Sequence, residues 1–253
     1  MTTQKHDKEE KRDVVIEIKK LKKSFNDNQV LDGIDLTIHK GENVVVLGKS
    51  GSGKSVLIKC IVGLMKPDDG ELKVFDKSIP ELEHSELDKV REKIGFLFQN
   101  SALYDSMTVR KNLEFPLRRR IREEGQAKID HRVQEALHSV GLEKTIDMMP
   151  SELSGGMTKR IGLARCLMIK PEIMLYDEPT TGLDPVTGDE ISNLMVDMQK
   201  KYNSSSVIIT HDMRCAKLTS SRLLVMVDGK IYAEGTFEEL AKSKDKKVKP
   251  FFV

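Results

Sequence analysis

Apolar positions along the chain fall into short runs whose spacing switches between two periods. Residues 14–18 and the alternating residues 34–38 predict strands with one buried face, while Val44, Val45, Val46 and Leu47 in succession predict a strand buried on both faces. Further buried strands are predicted at residues 94–98, 173–176, 206–210 and 223–227. Helical spacing occupies residues 55–62, 133–140, 159–168 and 186–200. Strands alternating with helices predict an α/β fold with a mainly parallel sheet, and the early run of short strands predicts an antiparallel β piece attached to it. Residues 101–169 are helix-rich with almost no strand signal, which predicts a helical subdomain inserted between two halves of the core. Asp228-Gly229 between two β-like runs marks a hairpin turn.

The charged residues 1–13 offer nothing apolar to bury and predict a solvated tail. Residues 14–240 then form a single domain, followed by a short C-terminal tail, 241–253, whose lysine-rich stretch 242–249 is expected to be solvated. No internal repeat is visible, so the chain holds one copy of its functional unit.

Composition narrows the classes. The chain has 253 residues, 38% of them hydrophobic, enough to bury a full core. Although 32% are charged, the formal net charge is only +2, so the overall field gives little attraction for nucleic acid or anionic lipid. Cys60, Cys166 and Cys215 are odd in number and far apart, which suits reduced thiols. No apolar run reaches the roughly 18 residues of a spanning helix, and the charged start lacks the apolar core of a secretory signal; the expectation is a protein that stays in the cytosol. The histidines show no metal-binding spacing.

The strongest chemical signal is Gly48-Lys49-Ser50-Gly51-Ser52-Gly53-Lys54-Ser55, which fits the G-x-x-x-x-G-K-[ST] phosphate loop and lies between a predicted strand and a predicted helix. Its glycines permit a turn that points backbone N–H groups at a β-phosphate, and the following helix adds its positive end. Lys54 is expected to reach the β- and γ-phosphates, and the Ser55 hydroxyl to bind Mg²⁺. The apolar run 173–176 ends in Asp177 and Glu178. Beside a phosphate loop, Asp177 is expected to bind Mg²⁺ and Glu178 to act as general base on the attacking water.

Many nucleotide hydrolases carry such loops, and Leu153-Ser154-Gly155-Gly156-Met157 decides among them. It opens a helix with Lys159 and Arg160 in its first turns. With it the sequence resembles the ATP-binding-cassette (ABC) ATPase family, matching the L-S-G-G-Q signature in four of five positions, with Met157 in place of Gln. Ser154, the Gly155 and Gly156 amides and the helix N-terminus together make an anion site. Signature and carboxylate motif are 177 − 154 = 23 residues apart, as the family has them.

The resemblance covers residues 14–240 and implies further roles. Gln99 resembles the Q-loop glutamine that touches Mg²⁺ and the water. Asp184, in Thr181-Gly182-Leu183-Asp184, resembles the D-loop aspartate that acts across a dimer, or else caps the helix beginning at Pro185. His211 resembles the switch histidine at the γ-phosphate, and Phe25 either stacks on adenine or belongs to the core.

Implied cofactors are ATP and Mg²⁺. Implied partners are a second copy of the chain and an integral permease subunit at the cytoplasmic face of the inner membrane, with no nucleic acid. Residues 103–109, 112–117 and 150–157, Met157 included, resemble more narrowly the ATPase of bacterial MCE-type phospholipid transport systems, which implies an MCE-type lipid-binding subunit. An importer of small polar solutes is the alternative, and a soluble ABC ATPase acting on nucleic acid or ribosomes a further one. The basic run 118–122 is either a solvated face or a contact with the permease or lipid headgroups.

Overall fold

The structure, a computed structural model, describes residues 13–118 and 124–252. Residues 1–12 of the expected N-terminal tail and most of the basic run lie outside the described residues.

Among the described residues ten strands form two sheets. The first is antiparallel and contains β1 (Val14–Phe25), β2 (Asn28–His39), β4 (Asp69–Val74) and β5 (Lys77–Ser78), in the order β2-β1-β4-β5. The second contains β3 (Asn43–Gly48), β6 (Ile94–Leu97), β7 (Ile173–Asp177), β8 (Ser205–Thr210), β9 (Arg222–Val227) and β10 (Lys230–Gly235), in the order β10-β9-β3-β8-β7-β6. Its strands pair in parallel except β10, which returns antiparallel to β9 through the Asp228-Gly229 turn. The expected architecture is what is found.

The second sheet is buried on both faces because its strands alternate apolar side chains between two cores. Val45 and Leu47, Met174 and Tyr176, and Leu223 and Val225 face one core; Val44 and Val46, Ile173 and Leu175, and Leu224 and Met226 face the other. The second of these cores also takes in the antiparallel sheet and α1 (Lys54–Ile61). The first takes in α6 (Pro185–Tyr202), α7 (Met213–Thr219) and the helical subdomain of α3 (Val109–Glu114), α4 (Gln126–Val140) and α5 (Gly155–Leu167). Full burial of each such aliphatic side chain is worth about 1.5–3 kcal/mol, so the central sheet is the rigid frame on which the loops at its strand ends are held.

α2 (His84–Arg91) and the β4–β5 hairpin carry polar sequences with little periodic signal and escape a reading by pattern. Between β6 and β7 the described residues hold no strand, as expected. The turn leading into α3 is organised by Asn112, which is fully buried: its Nδ2 donates to the carbonyls of Tyr104 (3.1 Å) and Met107 (3.0 Å), and its Oδ1 accepts from Tyr104 N–H (2.8 Å). Arg118 stacks its guanidinium 4.4 Å from the centre of the Phe115 ring.

The C-terminal stretch corrects one expectation. Residues 242–249 are not a freely solvated tail: after α8 (Phe237–Ala241) the chain packs back on the core, burying Val248 to 1% exposure. Tyr232 Oη donates to Asp245 Oδ2 (3.0 Å), and the Phe237 and Phe252 rings meet edge to face at 5.4 Å.

Candidate functional site

The phosphate loop leaves the buried end of β3 and enters α1 through Gly53, whose φ of +100° is a left-handed conformation that side chains resist. A Cβ on Gly53 would stand 2.6 Å from the Val30 carbonyl oxygen. Lys54, 6% exposed, folds its Nζ back to donate to the carbonyls of Gly48 (2.7 Å) and Lys49 (3.1 Å), and faces Glu178 Oε1 at 3.7 Å. Burial lowers the Lys54 pKa below the usual lysine value, against the opposing pull of Glu178. Ser52 Oγ is buried in the same loop with no hydrogen-bond partner.

The parallel register brings the end of β7 beside this loop. Ser55 Oγ donates to Asp177 Oδ1 at 3.0 Å. Burial raises the Asp177 pKa above the usual carboxylate value, with the Ser55 bond pulling the other way. A hydroxyl and a carboxylate at the mouth of a phosphate loop are the hard oxygen donors that suit Mg²⁺, so the residues fit the ion the motif implies.

Glu178 follows in a left-handed conformation, φ +50°, unusual for a residue with a side chain. Several partners hold it. Its N–H donates to the Ile209 carbonyl (2.9 Å); its Oε2 accepts from the His211 N–H (3.3 Å) and Thr181 Oγ1 (3.3 Å), and lies 2.8 Å from His211 Nδ1. His211 sits just beyond β8, which pairs with β7 in register.

Most of these groups share one cleft of about 700 Å³, lined by Phe25, Lys49, Ser50, Gly51, Gly53, Lys54, Ser55, Gln99, Glu178 and His211 together with Val30 and Val56; Gly48, Ser52 and Asp177 are not in its lining, and Asp177 is joined to it through Ser55. Phe25 is 44% exposed, so its ring is an open wall of the cleft and not a core residue; Lys23 Nζ stands 5.5 Å from its centre. Segments more than 180 residues apart in sequence, Phe25 and His211 among them, thus converge on one cleft.

The signature residues are placed elsewhere. Ser154, Gly155, Gly156 and Asp184 are not among the residues lining this cleft. Ser154 is the N-cap of α5, accepting from Met157 N–H at 3.3 Å, and Asp184 the N-cap of α6, accepting from Val186 and Thr187 N–H at 3.1 Å each. The two caps are neighbours: a Cβ on Gly156 would stand 2.7 Å from Thr187 Cγ2.

Sequence reasoning missed how α5 reaches the site. Lys159, 5% exposed, sends its Nζ to the Gln99 carbonyl and, at 3.5 Å, to the Glu178 carbonyl. Arg165, six residues further on, donates to the carbonyls of Ser101 (2.6 Å) and Ala102 (2.7 Å), both of which hold positive φ. Their places in the helix were visible in the sequence, but their direction was not. Thr181 is a further partner that only the fold reveals.

A family profile described as ABC transporter matches residues 31–181. The chain belongs to the ABC transporter ATP-binding family. The cassette is 40% identical over 237 residues to the methionine import ATP-binding protein MetN 3 of Bacillus cereus, covering 93% of this chain and 69% of that protein. It is 41% identical over 217 residues to the MetN protein of Legionella pneumophila, covering 86% of this chain and 63% of the relative. Among solved structures it is similar to the ATP-binding cassette MJ0796, a dimer in a post-hydrolysis state bound to ADP and Pi, with TM-score 0.80 and 32% identity over 88% of this chain and 98% of the other. CbiO1 of Clostridium perfringens, part of the ABC transporter complex CbiONQ, has TM-score 0.82 and 31% identity over 92% of each chain. The cassette is therefore an ABC-type ATPase. These relatives are named for methionine import and for CbiONQ, so the comparisons do not carry the finer resemblance to phospholipid-transport ATPases drawn from residues 103–109, 112–117 and 150–157. Among the described residues no helix is long and apolar enough to cross a membrane.

Proposed function

We propose that this chain is the ATP-hydrolysing subunit of an ABC transporter, closing as a dimer of two copies around ATP and driving a separate permease from the cytoplasmic face of the membrane. One observation carries the reading: the cleft gathers the phosphate loop, Gln99, Glu178 and His211, while Ser154, Gly155 and Gly156, the family's anion-binding loop, stand outside it. A complete site then needs the signature loop of a second chain, with Asp184 beside it at the contact. The dimeric state in which MJ0796 was solved supports the same arrangement.

The residues divide the work as follows. Phe25 offers a face for adenine, and the loop amides with Lys54 hold the β- and γ-phosphates. Ser55, Asp177 and Gln99 would hold Mg²⁺, which when bound would supply charge neutralisation for the phosphates. Glu178 takes the proton of the attacking water as the water oxygen bonds to the γ-phosphorus and the bond to ADP breaks. His211, within hydrogen-bond reach of Glu178, fixes that carboxylate and faces the leaving phosphate. Hydrolysis severs the γ-phosphate that bridged the two chains, its release takes that charge out of the interface, and opening transmits the stroke to the permease.

Two cargo readings stand on different observations. Similarity to methionine import proteins over 93% of the chain favours an importer of a small polar solute of the amino-acid class. Met157 in the signature and residues 103–109 and 112–117 favour a permease that handles phospholipid, with an MCE-type lipid-binding subunit. The cassette touches no cargo, so reconstitution decides. The complex purified with its native partners and placed in proteoliposomes either concentrates a labelled amino acid or moves labelled phospholipid under ATP. Failure of both, with no permease co-purifying, would overturn the transporter reading.

A further inference from the structure

α5 carries two sets of contacts that face different nucleotides. At its N-terminus Ser154 presents the anion site that, in the dimer proposed above, serves ATP held by the second copy. One and a half turns later Lys159 is buried against the Gln99 and Glu178 carbonyls of its own cleft. Arg165 extends the grip to Ser101 and Ala102. The same helix is thus clamped to the segment that leaves Gln99 and to the residue that bears the general base.

The clamp falls where the backbone most needs holding. Glu178, Ser101 and Ala102 all sit at positive φ, with values of +50°, +57° and +48°, conformations that residues with side chains resist. A buried ammonium shared by two carbonyls fixes both together. It cannot shift relative to one without loosening the other, since an unpaired buried charge is costly.

We propose that Lys159 is a positioning residue for hydrolysis, and that it couples the two sites of the dimer: engagement of Ser154 by the second copy's ATP, transmitted through α5, sets Gln99 and Glu178 of its own chain. This inference rests on the composite-dimer reading. Lys159 is not among the residues lining the nucleotide cleft; it acts through the residues it holds.

The test uses the full chain assembled with its permease and compares wild type with K159M, which keeps the length without the charge, and K159R, which keeps the charge. K159M is expected to lower kcat by about tenfold or more while affinity for a non-hydrolysable ATP analogue stays within about threefold. Its Hill coefficient for ATP should fall toward unity, and K159R should recover most of kcat. Because Lys159 is buried, K159Q, with an uncharged donor, is read in place of K159M if thermal melting shows the latter unfolded. A folded variant with wild-type kcat, or with kcat and ATP affinity lost in parallel, overturns the positioning role; an unchanged Hill coefficient overturns the coupling. The composite reading is checked separately in the E178Q background. If E178Q forms no ATP-dependent dimer, that reading fails; if E178Q dimerises and K159M retains wild-type turnover and cooperativity, this inference fails by itself.

Discussion

At the residue scale the site stores charge against the preference of a folded interior. Lys54 and Asp177 are both buried, and burial shifts each toward its neutral form. Lys54→Ala removes the main positive charge opposite the phosphates and should lower ATP turnover of the assembled complex by at least about a hundredfold. Unchanged turnover would refute the phosphate-loop assignment. Asp177 gives a pH-dependent expectation for the nucleotide-free chain. Its folded pKa is raised, so between the ordinary value of 3.8 and the raised one the native state binds more protons than the unfolded state. The stability it contributes is fully present at lower pH and is lost as pH rises through the folded pKa. Asp177→Asn lacks that loss, so its melting temperature relative to wild type should be higher at neutral pH than in acid, even as Mg²⁺-dependent hydrolysis disappears. A gain that is larger in acid would contradict the burial argument.

At the element scale, the caps and the C-terminal stretch show what holds the frame. Val248 is packed into the core shared by the central sheet and helices, so Val248→Asp should destabilise the fold by about 3 kcal/mol, by placing a carboxylate where no partner is available. Chemical denaturation measures this; an effect below about 0.5 kcal/mol would return the stretch to the solvated tail its lysines suggest. How much could be read beforehand follows the same physics. β3, β7, β8 and β9 were legible because they are buried on both faces and read as continuous apolar runs. The phosphate loop, the Asp177-Glu178 pair and Ser154 were legible because their chemistry fixes their spacing. α2 and the β4–β5 hairpin were hidden by polar sequence on half-exposed elements. Val248 was masked by the five lysines between 242 and 249, which snorkel outward while one aliphatic side chain turns in. The reach of Lys159 and Arg165 is a tertiary fact, since helical periodicity gives a face but not what lies across from it.

At the scale of the whole molecule the description is of half a machine. On the proposed reading one chain supplies a cleft with the groups that position water and phosphate, while its signature loop caps a helix outside that cleft. The central claim is that two such chains complete each other around ATP. Glu178→Gln tests it most directly, because the amide keeps the shape of the side chain, cannot accept the proton of the attacking water, and so should trap the closed state. With Mg-ATP, the purified variant should shift in sizing chromatography with light scattering from about the 28.6 kDa of one chain to twice that mass, and return to monomer when ATP is removed. A variant that binds ATP yet remains monomeric at all ATP concentrations, with and without its membrane partner, would contradict the composite site.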